Sequence, residues 1–527
     1  MSSSLNHLCS SIISEGFGDI AGRVSQVLLA KGHTSLFELS RLSKERILTV
    51  KKCLYTFIHH NLVTFKRSTS GTLEYYIHTD IVLNRILFPK FIFTAKSLFG
   101  DTAEFIVEEL CFHGNLSLDD IVKNITMKTD AEGNNQNIKK EEIHPIFIKL
   151  VSEQFIKRFP SVVGVEDGVP IFSEQKHNLY FVPPMADSEP PEKRQKTEET
   201  ENLVLWIINY DRFHRYLRDC QIATAFERRI DSNACEIIKI ILRISETRTD
   251  PNCTSTKGIS MIELSPITKK ELGISKDILT QYMSLLVEDS FNCVIKLADS
   301  GEGTYAIDLP KAMKNLATSH IESIIQEKFG SKAFRIFKVL LLNGNLEQQK
   351  IEDCVMIPAK EAKELLYRMV EQQYVSVTEV PKTSDHAPRS TFYLFSVNID
   401  ALARKLEENC YMILGNLYSR RDHEGKKSKR LLEKQSKIEA IALQMTNALD
   451  PSAPDHAQKL EECQKEIEEM STVGEKEQIE RLSKAYSQLD QAEMQTEELL
   501  FILRQCIHYS IPMENDVKSK KKAIEVD

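Results

Sequence analysis

The stretch "HHNLVTFKRSTSGTLEYYIH", residues 59–78, decides the fold. It opens on the last polar turn of a segment in which Leu54, Ile58 and Leu62 recur every four residues, the spacing of one helix face. It then alternates, crosses the gap "STSG" and alternates back through "LEYYI", so a helix feeds a two-stranded ribbon. The rhythm returns at Phe147, Val151, Phe155, at Met283, Val287, Phe291, and at Leu366, Val370, Tyr374. Each triplet gives way to an alternating run ("FIKRF", "FNCVIKL", "YVSVTEV"), a turn-rich gap ("SVVGVEDG", "ADSGEG", "PKTSDHAPRS") and a returning run ("NLYFV", "TYAI", "TFYLF"). Helix starts agree: Ser35 with Glu38 reads as a capping box, and Pro145 and Pro358 suit first helical turns.

Two helices, a third helix and a ribbon make a winged helix-turn-helix. Its third helix can enter a major groove and its ribbon can reach the adjoining backbone. The same module also docks proteins, and fold alone does not choose between these uses. The anchors Leu54, Phe147, Met283 and Leu366 lie 83 to 136 residues apart, which indicates separate domains and not a solenoid.

The expected fold is mainly α with small β-wings: four tandem extended winged helices followed by a C-terminal antiparallel coiled-coil stalk. The expected boundaries are 1–85, 95–185, 203–312 and 313–400 for the winged helices, and 401–510 for the helical hairpin. Between the second and third units, "ADSEPPEKRQKTEETEN" spans the expected disordered linker, 186–202. It is rich in Pro, Glu and Lys and cannot bury enough apolar surface to offset ordering entropy. In the stalk, Ile438, Ile441, Met445 and Ala448 step by 3-4-3, and after "PSAPDHA" the steps resume at Ile479, Leu482, Tyr486 and Leu489. Residues 511–527 read as a flexible basic tail.

At 527 residues the chain has room for several domains, and 42% hydrophobic with 27% charged residues is ordinary globular composition. A formal charge of −8 excludes a uniformly basic coat but leaves room for local patches. The 11 cysteines include no C-x-x-C pair, so neither a cysteine zinc site nor a disulfide framework is expected, and a reducing compartment is. No run approaches the length of a membrane span and the N-terminus lacks a signal-peptide pattern, so no membrane partner is expected.

The segments "FGDIAGRV" (17–24), "DTAEFIVEELCFHGNLSLDDIV" (101–122), "NYDRFHRYLRD" (209–219), "EKFGSKAFRIFKVLL" (327–341), "MIPAKEAKELLYRM" (356–369) and "PKTSDHAPRSTFYLFSVN" (381–398) resemble the third-largest subunit of RNA polymerase III, in order and through nearly the whole chain. The resemblance implies a non-catalytic polymerase subunit in the nucleus. Implied partners are two smaller subunits in a heterotrimer resembling general transcription factor IIE, the clamp side of the largest polymerase subunit, promoter DNA in double- or single-stranded form, and polymerase III initiation factors. It also implies a role in promoter-specific initiation and open-complex formation at small non-coding RNA genes, without catalytic residues or cofactors.

The residues themselves argue the same way. No Walker-type loop is present, and "SGEG" (300–303) sits in a wing turn where glycine needs no ligand to explain it. His59 and His60 have no further His or Cys at ligand spacing, so a solvated helix end is the plainer reading. "DRFHRYLRD" reads as an amphipathic docking face before it reads as a catalytic cluster. Residues 1–80 hold nine Lys/Arg against six Asp/Glu, with Lys44, Arg46, Lys51 and Lys52 on or beside the third helix and Lys66 and Arg67 entering the wing. Lys51, Lys52, Lys66 and Arg67 are the expected DNA-binding residues, through sequence-independent phosphate contacts. In the third unit, "SKDILTQYMSLLVEDSF" has one Lys against three acids and is assigned to protein contact. "EKRQK" and "KSKKK" (518–522) match minimal nuclear-import patterns. The alternative is a winged-helix scaffold subunit of a cytosolic complex that does not touch DNA; a helical solenoid leading into one winged helix would favour it.

Overall fold

The computed structural model describes residues 2–68, 71–131, 140–166, 169–173, 179–182, 204–246, 248–249, 253–298, 303–382, 391–447 and 472–511. The expected linker 186–202, the tail beyond Ile511, and the seam positions Met445 and Ala448 lie outside the described residues or side chains.

The first unit builds from helices Asp19–Lys31, Leu36–Ser43 and Ile47–His59 and strands β1 (Thr34–Ser35), β2 (Val63–Arg67) and β3 (Leu73–Ile77). The Ser35 hydroxyl accepts from the Glu38 N–H and starts the second helix. The third helix buries Val50, Leu54 and Phe57 at 4- and 3-residue steps, and the sheet runs β1-β3-β2. Two later units repeat this plan. Helices Ser232–Glu246, Met261–Leu272 and Lys276–Glu288 carry a sheet ordered β8-β10-β9 (β8 Ile259–Ser260, β9 Val294–Ala298, β10 Thr304–Ile307). Helices Ser331–Asn343, Gln348–Val355 and Ala359–Glu371 carry β11-β13-β12 (β11 Leu346–Glu347, β12 Ser376–Pro381, β13 Thr391–Ser396). Leu54, Phe147, Met283 and Leu366 are all buried.

Between the first two sits a reduced version of the plan. Helices Asp101–His113, Leu118–Ala131 and Lys140–Ser152 lead into β4 (Ile156–Arg158), which pairs antiparallel with β7 (Trp206–Ile208). Leu116 bridges Trp206, so one residue stands where the other units have a short first strand. This corrects the expected wing: its return strand is not the run "NLYFV" but β7, beyond the linker. From residues 179–182, the Leu179 carbonyl accepts from the Arg158 N–H and the Phe181 ring lies under the Arg158 guanidinium at 5.5 Å, but none of the four is a strand residue. The reason is packing. Trp206 and Ile208, on one face of β7, are buried, and Trp206 sits edge-on to Phe147 at 5.1 Å. The expected gap instead supplies strand β5 (Ser161–Glu166), which pairs with β6 (Val169–Ser173) just beyond it. Pro145 lies inside its helix and not in the first turn, whereas Pro358 is the N-cap, its carbonyl accepting from the Glu361 and Ala362 N–H groups.

Helix exits repeat at atomic detail. Asn61, Gln154 and Gln373 each adopt a left-handed conformation (φ 59°, 65° and 60°), and the next N–H reaches back five residues: Leu62 to Phe57, Phe155 to Leu150, Tyr374 to Met369, at 2.8–2.9 Å. Entries repeat too. Phe17-Gly18-Asp19, Phe99-Gly100-Asp101 and Phe329-Gly330-Ser331 join a preceding helix to the first helix of a unit, with glycine φ of 91°, 92° and 88° at ψ near the extended region, a combination open to glycine.

The stalk is an antiparallel hairpin of helix Ile399–Lys427, continued by Lys429–Asn447, against helix Val473–Ser510. Arg421 pairs with Asp490 at 2.6 Å and with Glu493, while Lys434 reaches Glu475 at 2.6 Å, which fixes the opposed direction. A full capping box, Thr472 with Glu475, starts the returning helix. The root packs against helices of several units. Helix Ile399–Lys427 lies against Ser3–Phe17 so closely that a Cβ on Gly415 would meet His7 Nδ1 at 2.9 Å. Helix Val473–Ser510 packs on Leu309–Phe329 and ties to the units through Arg504–Asp80 (2.7 Å), Lys90–Glu497 (3.2 Å) and Gln221–Glu498 (3.0 Å). The first, third and fourth units share one apolar core with this root, and Leu87 to Phe213 form a second core that Phe501 touches. No described helix is long and apolar enough to cross a membrane.

Candidate nucleic-acid interface

In the first unit the core-facing stripe of helix Ile47–His59 leaves its other side to solvent. There Lys51 and Lys52 are exposed, separated by about 100° around the axis. Between them and the helix ends stand Leu48 and Tyr55, each 74% exposed, and the Tyr55 ring stacks on His59 at 6.2 Å and 6°. This face therefore offers two cations, an aromatic plane and an aliphatic side chain, a set suited to phosphate and base contact.

The wing is arranged differently. Lys66 and Arg67 are both exposed, but adjacent strand residues point to opposite faces, so they do not share a surface. Lys66 stands opposite Glu74 in the ribbon, and the Arg67 Nε donates to the Gly71 carbonyl at 3.2 Å within the turn. Phe65 meets Phe172 of the β5–β6 hairpin edge-on at 6.3 Å, which brings a second unit's insertion against this wing. The structure thus brings Lys51 and Lys52 to one helix side and sets Lys66 and Arg67 apart. Tyr55 and Leu48 carry no charge and were not singled out by sequence reasoning; their outward position follows from the same 3.6-residue period that buries Leu54.

The helix end His59–Asn61 is not solvated. The Asn61 side chain donates to Asn115 Oδ1 at 2.8 Å, and a Cβ on Gly114 would meet the His59 carbonyl at 2.8 Å, so only glycine fits this joint between units. Burial holds the His60 imidazole down to about 4, with the Arg85 charge adding to the effect; burial lowers His59 as well. Among the described residues no group of three His, Cys, Asp or Glu could hold a metal ion.

The "DRFHRYLRD" helix is a docking face. Phe213, Arg212 and Arg218 are buried; Arg218 Nη1 donates to the Tyr509 hydroxyl at 2.7 Å and Nη2 pairs with Asp219 at 2.7 Å. It walls a cavity of about 530 Å³ where the first unit's exit, this helix and the last stalk helix meet, with Asp80, His214, Arg504 and Glu497 in its lining. Burial pushes the Glu497 carboxyl up to about 7 against the pull of Lys90, and lowers His214 to about 4. In the third unit the helix Lys276–Glu288 exposes Ile278 and Leu285, and beyond its end Arg229 holds Asp289 at 2.8 Å.

Four family models match the chain: the RNA polymerase III subunit RPC82 helix-turn-helix domain over residues 7–68, RNA polymerase III subunit RPC82 over 171–316, the POLR3C C-terminal winged-helix domain over 321–397, and the DNA-directed RNA polymerase III subunit RPC3 helical hairpin domain over 430–502. Similar curated proteins include DNA-directed RNA polymerase III subunit RPC3 of Bos taurus, 37% identical over 95% of this chain and 98% of the relative. The Homo sapiens protein of the same name is 36% identical over 95% and 97%, and that of Danio rerio 35% identical over 95% and 98%.

Proposed function

The chain belongs to the RPC3 family of RNA polymerase III subunits, and from that premise we propose that it is a non-catalytic subunit of RNA polymerase III, acting in nuclear transcription. The observation that carries this is the pairing, in one chain, of repeated winged helices with a helical hairpin rooted among them. In this reading four winged helices span 1–85, 95–208, 209–312 and 313–400, and 401–510 form the stalk. The chain joins two smaller subunits in a heterotrimer resembling general transcription factor IIE, sits on the clamp side of the largest subunit, and supports promoter-specific initiation and open-complex formation at small non-coding RNA genes. Polymerase depleted of the subunit should extend a pre-formed primer scaffold normally but fail to start at a promoter, with recovery on adding the full chain back. Loss of primer extension would refute the non-catalytic role.

Direct DNA contact is assigned to Lys51, Lys52, Lys66 and Arg67, supported by their exposure and the basic balance of residues 1–80. Changing all four to Glu in the full chain should weaken duplex binding and flatten its salt dependence by roughly one log–log unit per engaged cation. Because surface charges contribute little to stability, the melting temperature should hold. The opposed directions of Lys66 and Arg67 favour the second reading, a scaffold without DNA contact at this unit; equal affinities at every salt concentration would establish it.

A further inference from the structure

The descending arm of the stalk carries an unassigned charge pattern. Residues 420–437 hold eight Lys/Arg against three Asp/Glu in a chain of net charge −8. Arg420, His423, Lys427, Arg430, Lys434 and Lys437 recur in 3-4-3-4-3 steps, which places them on one helix face. The face is continuous although two helices meet at Ser428, because the Ser428 N–H bonds to the Glu424 carbonyl and the Leu432 N–H to the Ser428 carbonyl, both at 3.0 Å. The eighteen-residue span is about 27 Å long.

The three acids of the segment are each engaged by a neighbour: Glu424 by Arg420 (2.6 Å), Asp422 by Lys426 (2.7 Å) and Glu433 by Lys429 (3.9 Å). Lys434 holds Glu475 of the opposite arm at 2.6 Å. Lys427, Arg430 and Lys437 are exposed and have no ion-pair partner among the described residues, so the uncompensated charge on this face is positive. Between residues 414 and 440 no large hydrophobic side chain is exposed. A protein interface draws its affinity from apolar and aromatic anchors, which this surface lacks. A single-strand platform needs a succession of stacking rings, and this row offers one imidazole, His423. What remains is a straight row of cations, which suits the sequence-independent phosphate backbone of a duplex.

We propose that the face marked by Lys427, Arg430 and Lys437 is a binding surface for duplex nucleic-acid phosphates, distinct from the first winged helix. The inference rests on the reading that this chain touches nucleic acid, and the test separates the two. The full chain, a Lys427→Glu/Arg430→Glu/Lys437→Glu variant and the fourfold first-unit variant are titrated against a labelled mixed-sequence duplex by anisotropy from 50 to 200 mM salt, conditions over which phosphate contacts lose affinity steeply. The triple variant should lose at least tenfold in affinity at the low-salt end and about 2.7 from the log–log slope, roughly 0.9 for each phosphate released. A variant with the charges kept (Lys427→Arg/Arg430→Lys/Lys437→Arg) should bind as the parent does, and an unchanged melting temperature guards against misfolding. Parent-like binding by the triple variant, with loss in the first-unit variant, overturns this inference and leaves the first-unit contact standing. Intact DNA binding with lost polymerase association makes the stripe a protein-docking surface and also overturns it. No salt-dependent binding by the parent chain removes both readings.

Discussion

Replacing Phe147 with alanine tests whether strand β7 belongs to the second unit. Phe147 is fully buried and its ring lies 5.1 Å from that of Trp206 at 87°, so the substitution opens a cavity against the tryptophan. Phe→Ala changes in cores cost about 3–5 kcal/mol, of which an edge-on aromatic pair supplies about 0.5–1.5. With a urea dependence of about 2 kcal/mol per molar for a module of this size, the unfolding midpoint should fall by about 2 M. Trp206 is the chain's single tryptophan, so its emission reports on this unit alone. The midpoint followed by tryptophan emission should drop in Phe147→Ala and stay near the parent value in Leu366→Ala, whose site lies in the other core. If Phe147→Ala leaves the emission midpoint in place, Trp206 does not complete this unit's wing and the pairing across 159–205 is wrong.

Two further outcomes follow from the root of the stalk. Deleting 425–489 keeps Arg421 with Asp490 and Glu493, so the winged helices should melt as in the parent while polymerase co-purification weakens; unchanged co-purification would show that the distal hairpin is not a docking element. Glu497 titrates at about 7 instead of 4.5 because it is buried, so its contribution favours the fold fully below about 4.5 and is lost as pH rises through about 7. The interval corresponds to roughly 3 kcal/mol. Thermal unfolding of Glu497→Gln should accordingly gain on the parent between pH 5 and 8, and a pH-independent difference would place the group elsewhere.

The recurring units were legible because Leu54, Phe147, Met283 and Leu366 follow the helix period and each is followed by strand alternation. The second wing was not, since local alternation nominates the nearest run, "NLYFV", and only packing around Phe147 identifies Trp206 and Ile208 across residues 159–205. A repeat that would have marked unit entries was present in plain sight: Phe-Gly before Asp19, Asp101 and Ser331, where the backbone needs glycine. At the candidate interface, exposure and charge are legible from composition and period, and direction follows from the strand and helix periods. Strand alternation alone separates Lys66 from Arg67, and the helix period brings Tyr55 and Leu48 beside Lys52. The stalk cations are equally periodic, but a charged helix face reads first as solvated, and only the pairing of Asp422, Glu424 and Glu433 shows which charges are left over.

The most direct test of the central claim is recovery of the tagged full chain from nuclear extract, followed by quantitative mass spectrometry. The account predicts the two largest RNA polymerase III subunits and two smaller partners in near-equal amounts with the chain, persisting through nuclease treatment. Recovery of the chain without those polymerase subunits would contradict it.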